Sequence, residues 1–66
     1  MAAYAREELE EALRAIVSTI HKCEKVMPKL KENSAQQTLL KRRIEALQIS
    51  VDLIERELSD LSEENK

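Results

Sequence analysis

Residues 27–40 read Met-Pro-Lys-Leu-Lys-Glu-Asn-Ser-Ala-Gln-Gln-Thr-Leu-Leu, and the middle of that stretch reverses the chain. Asn33 is suited to the left-handed conformation that ends a helix when glycine is absent, and this chain has no glycine. Ser34-Ala35-Gln36-Gln37 reads as a capping box. The Ser34 hydroxyl accepts from the Gln37 amide, and the Gln37 side chain reaches back to the cap. A helix therefore stops before Glu32-Asn33-Ser34, and a second one starts after it.

Outward from that turn, the apolar residues mirror one another. Leu9, Leu13, Ile16, Ile20, Cys23, Met27 and Leu30 step alternately by four and three, and so do Leu40, Ile44, Leu47, Val51, Ile54, Leu58 and Leu61. Folded at residues 33 and 34, the chain sets Met27 against Leu40, Cys23 against Ile44, Ile20 against Leu47, and so on to Leu9 against Leu58. The position numbers of every such pair sum to 67. This is the pattern of an all-α fold, an antiparallel two-helix hairpin with one coiled-coil-like seam. The spacing predicts helix 1 over about 3–31, a turn at about 32–34 and helix 2 over about 35–61, with Ser62 to Lys66 fraying. Pro28 lies in the last turn of helix 1. It has no N–H for the Glu24 carbonyl and crowds it, so either a kink near Glu24 to Met27 or an early stop with a loose turn is expected.

Composition agrees with one such domain spanning residues 1–66. Among 66 residues there is one proline, one aromatic residue (Tyr4) and no Trp or Phe, which argues against sheets and a thick core. Charged residues make up 36% of the chain, yet the net charge is only −2 and the apolar residues are strictly periodic. That combination describes solvated helix faces rather than a disordered chain. The acids Glu7, Glu8, Glu10 and Glu11 stand where a secretory signal would need an apolar run. The uncharged apolar stretch from Ala15 to Ile20 is far short of a membrane span. One cysteine cannot form an internal disulfide and suits a reducing compartment, so the expected location is the cytoplasm, without membrane association.

Two helices bury one stripe each, and this chain has apolar residues to spare. On helix 1, Ala5, Ala12, Thr19 and Val26 recur every seven residues beside the seam, with Val17 on the other flank. On helix 2, Leu39, Ala46 and Leu53 recur in the same way, with Ile49 beside them. A heptad-spaced second stripe is a contact face rather than surface scatter. Leu39, Ala46, Ile49, Leu53, Val17 and Val26 are the expected oligomer interface. Since a lone two-helix hairpin of this length is marginal, assembly into a four-helix bundle is expected, as an antiparallel homodimer or against a helix of another protein.

Charge is segregated along the fold. Residues 21–43 hold seven cations against Glu24 and Glu32, a net of +5, whereas residues 44–66 hold two cations against seven acids, a net of −5. Residues 1–20 carry two cations against four acids, a net of −2. The hairpin therefore has a basic tip and an acidic open end. Lys25, Lys29, Lys41, Arg42 and Arg43 form the kind of cluster that contacts nucleic-acid phosphates. Against this, aromatic stacking residues are missing and the pI is about 5.4. Nucleic-acid binding is the alternative to a non-catalytic interaction or regulatory module.

No catalytic, cofactor or metal site is expected. His21 and Cys23 are two residues apart, and such residues do not share a helix face. Zinc needs three or four convergent ligands, so a metal role would require several copies of His21 and Cys23 assembled across subunits. There is no Glu-x-x-His motif, no glycine-rich phosphate loop and no supported Ser/His/Asp set.

The stretch Glu7-Glu8-Leu9-Glu10-Glu11-Ala12-Leu13-Arg14-Ala15-Ile16, followed by Ser18-Thr19-Ile20 and Lys22-Cys23-Glu24-Lys25, resembles short bacterial helical-hairpin proteins, as does Gln37-Thr38-Leu39-Leu40-Lys41-Arg42-Arg43-Ile44-Glu45-Ala46-Leu47. The resemblance covers most of the chain and implies a bacterial cytoplasmic origin without implying an activity. In size and topology the chain is also similar to the plasmid-copy-control hairpin dimers that bind paired RNA loops, a likeness of fold with no matching residues.

Overall fold

The computed structural model describes the backbone of residues 4–64 and the side chains of residues 4–61. Helix α1 runs Arg6–Val26 and helix α2 runs Ala35–Glu64, with a short 3₁₀ turn Met27–Lys29 between them. The two α-helices pack against each other, and no strand occurs among the described residues. The result is a rod of 49 × 17 × 16 Å. Its radius of gyration is 15.1 Å, against about 11 Å for a compact chain of this length.

Helix α1 starts later than the spacing predicted. Tyr4 and Ala5 are not helical, and Ala3 lies outside the described residues. Ala5 is extended, and its N–H donates to the Glu8 carboxylate at 2.9 Å. This is half of a capping box, since alanine has no oxygen to return. Glu7 and Glu8 place negative charge at the positive end of the helix dipole.

Of the two outcomes expected from Pro28, the chain takes the early stop. The α-helix ends at Val26, and the Met27 N–H still donates to the Cys23 carbonyl. Pro28 then has no N–H to offer Glu24, and the backbone tightens into the 3₁₀ turn. Leu30 donates to the Met27 carbonyl at 3.1 Å and is itself extended. Helix 1 was expected to reach about residue 31, so the connection is longer than the three residues predicted.

Asn33 does adopt a positive φ of 63°, the conformation it was chosen for. The cap of α2 forms with one change. The Gln37 N–H donates to the Ser34 hydroxyl at 3.1 Å, but the Gln37 side-chain oxygen accepts from the Asn33 N–H, at 2.9 Å, rather than from Ser34. The Ser34 N–H is already taken by the Lys31 carbonyl at 3.1 Å, so the glutamine reaches one residue further. At the far end α2 is helical through Glu64, past the end expected at about 61, and the expected fraying of Asn65 and Lys66 lies outside the described residues.

All fourteen seam positions are at least partly withdrawn from solvent. Leu9, Ile20 and Cys23 are buried, and the other eleven are half-buried. No described side chain is sealed completely from solvent. A seam between two helices is one layer deep, and each layer meets solvent on both broad faces of the hairpin. Among the described residues no helix is long and apolar enough to cross a membrane.

Two outcomes test this packing. Replacing Ile20, among the most enclosed of the aliphatic side chains, by Ala is expected to cost roughly 2–5 kcal/mol in urea unfolding, and Ser34→Ala about 1 kcal/mol through the lost cap. A bulky thiol reagent is expected to modify Cys23 far more slowly in native buffer than in denaturant, because the sulfur is reached only when the seam opens. Equal rates would mean that Cys23 does not lie in the seam.

Candidate interaction face

Of the six residues expected to form a contact face, five are exposed on the hairpin and Val17 is half-buried. Leu39 is 59% exposed, Ile49 60%, Leu53 56% and Val26 43%. Ala46 is exposed as well. Leu39, Ala46 and Leu53 follow one another at two-turn intervals down α2, so they form a straight apolar ribbon along the rod.

The shallow clefts between the helices show how the two broad faces differ. On one face Val26 and Leu30 of the first half meet Gln36, Leu39, Leu40 and Arg43 near the tip. Toward the open end, Leu9 and Ala12 meet Ile54 beside Tyr4 and Glu8. On the opposite face Val17 and Ile20 meet Val51 in a cleft edged by His21, Glu24, Gln48 and Asp52. The first face is largely apolar and the second is rimmed with ionisable and polar groups. Val17 is thus set apart from the other expected interface residues. It is half-buried on the polar side, whereas Val26, Leu39, Ala46 and Leu53 belong to the apolar side.

Tyr4 is the residue that the sequence reading passed over. It precedes α1, falls outside every heptad, and is 64% exposed beside Leu9, Ala12 and Ile54. Its only signal in the sequence is that it is the single aromatic residue.

The centre of the apolar face carries hydroxyls with no outstanding demand. Thr19 donates to the Ala15 carbonyl at 2.9 Å, and Ser50 to the Ala46 carbonyl at 3.0 Å. Such back-bonding keeps the donor within its own helix. The face can therefore be desolvated there without stranding a polar hydrogen.

Lys25, Lys29, Lys41, Arg42 and Arg43 are all exposed, and none of them enters an ion pair among the described residues. Elsewhere on α1, Arg14 pairs with Glu11 at 2.9 Å, with both side chains about three-quarters exposed. A pair so placed contributes about 0–1 kcal/mol. Helix α2 also runs against its own dipole, with no acid in its first turn and no base in its last.

His21 is exposed at the rim of the polar cleft, and Cys23 is buried in the seam. The two do not converge, and among the described residues no three His, Cys, Asp or Glu side chains gather in one place.

No family model, no curated protein and no solved structure matches this chain.

Proposed function

We propose that this protein is a non-catalytic interaction module that works by self-association through the outer stripe of α2. The observation that carries the reading is the apolar ribbon Leu39, Ala46 and Leu53 with Ile49 beside it, whose three large side chains are each more than half exposed. A stripe at this spacing on a folded helix is the half-interface of a bundle. The surface area supports the same reading. The chain exposes 5495 Å², whereas a compact monomer of 7.6 kDa would expose about 4,300 Å². A reducing, cytoplasmic setting is part of the proposal, supported by the single unpaired Cys23.

The solution mass tests it. The wild-type chain is expected to run above 7.6 kDa in light scattering at micromolar concentration. Leu39→Lys and Leu53→Lys are each expected to bring the mass down to that of the monomer, because a charge enters a desolvated contact. An oligomer that survives both substitutions with unchanged helicity would remove the stripe from the interface. A wild-type monomer would leave the stripe to a helix of another protein.

A second reading, nucleic-acid binding at the tip, is favoured by the five exposed cations, none of which enters an ion pair among the described residues. Contact with phosphates through five side chains gives a steep salt dependence, with log K falling by roughly 0.9 per contact per decade of salt on duplex DNA. Binding of RNA or DNA fragments is expected to be weak at physiological salt and to vanish as salt rises. Sub-micromolar affinity that is lost in Arg42→Glu and Arg43→Glu would make this the principal function instead.

A further inference from the structure

We propose that the occupant of the apolar face is a second copy of the chain laid head to tail, with α2 on α2 and α1 on α1, about a two-fold axis passing by Thr19 and Ala46. The proposal rests on self-association and adds its geometry.

An interface between identical copies must be complementary to itself: if residue i meets j, then j meets i. The ribbon on α2 meets that condition, since Leu39 and Leu53 lie seven residues on either side of Ala46. A head-to-tail two-fold places Leu39 on the second copy's Leu53 and Ala46 on its own counterpart. On α1 the same operation places Ala12 on Val26 and Thr19 on itself, a strip that holds no charge. The residues at the axis are small and the hydroxyls of Thr19 and Ser50 are already bonded within their helices, so the backbones can approach there. A face 49 Å by 17 Å covers on the order of 800 Å², the share each partner gives to a stable interface.

The apolar ribbon alone would accept either orientation. With tips together, α1 would lie on α2, and Leu39 would meet Val26. Charge separates the two. Tips together would stack one net +5 segment on another, and one acidic open end on another. Head to tail, Lys29 and Lys31 of one copy come to the Glu7 and Glu11 region of the other, and both repulsions become attractions. The same operation carries Tyr4 over the tip cleft of the second copy, where Val26 and Leu39 offer it apolar cover.

Self-linking of single cysteines reads the geometry directly, because only a residue on the axis meets itself. Under mild oxidation Ala46→Cys is expected to form a covalent dimer. Leu39→Cys is expected to link only when mixed with Leu53→Cys, and Cys23, buried in the seam, serves as the unreactive internal reference. Tyr4→Ala is expected to weaken association on the order of tenfold, as loss of an aromatic anchor does. A monomeric wild-type mass overturns self-association and the geometry together. A dimeric mass without self-linking at residue 46 overturns the geometry alone, and linkage of Ala46→Cys to Thr19→Cys in its place establishes tips together.

Discussion

The thinness of the seam governs the rest of this molecule. Two helices meeting along one stripe each give a core one side chain deep, and even its best-covered members, Leu9, Ile20 and Cys23, keep 8–9% of their surface in solvent. A globular domain corrects such a deficit by laying a third element over the seam. Among the described residues of this hairpin no third long element does so. The seam fixes which residues fold together, and its shallowness is also why the flanking residues matter: every side chain beside it is either a lid on the seam or a surface offered to something else.

The flanks divide these two duties between the two faces. On the polar face, His21, Glu24, Gln48 and Asp52 rim the cleft over Val17, Ile20 and Val51. Such groups hold water beside the seam and resist a second apolar surface. On the other face the flanking positions of α1 are Ala12, Thr19 and Val26, small or apolar, and the outer ribbon of α2 rises next to them. Back-bonded hydroxyls complete the pattern, since a threonine or serine bonded to its own helix presents a methyl or a satisfied oxygen. The asymmetry between faces is a property of the folded hairpin. A helical wheel separates the two flanks of each helix, and the pairing of helices joins matching flanks into one face.

That distinction marks what was legible in the sequence. The seam stripe was legible, because a heptad of apolar residues has one inward side, and all fourteen of its positions are buried or half-buried in the packed pair of helices. Asn33 was legible because only a few residues tolerate a positive φ. The ends of the helices were less so. Pro28 permits two local outcomes of similar cost, and the early stop at Val26 was open beside the kink until the backbone was seen. Gln37 was assigned the usual partner of a capping box, and the local turn gave it Asn33 because the Lys31 carbonyl had already satisfied the Ser34 N–H. Val17 and Tyr4 failed for other reasons. The heptad already set Val17 on the flank opposite Ala12, Thr19 and Val26, and grouping it with them in one interface ignored that; Tyr4 lies outside the periodicity altogether.

Charge supplies what the apolar pattern lacks. A ribbon that reads Leu-Ala-Leu at equal spacing has no direction of its own, and α1 and α2 offer apolar partners to it in either sense. Direction has to come from an asymmetric property, and the gradient from a basic tip to an acidic open end is the strongest asymmetry in the chain. Within one hairpin that gradient is a cost. It gathers like charges at both ends and sets α2 against its dipole, each mismatch amounting to a few tenths of a kcal/mol to about 1. A folding requirement would have mixed the signs along each helix, as the Glu11–Arg14 pair does locally. In the proposed head-to-tail pairing a second copy of opposite polarity relieves that burden, so that weak exposed charges set the direction and the apolar face supplies the strength.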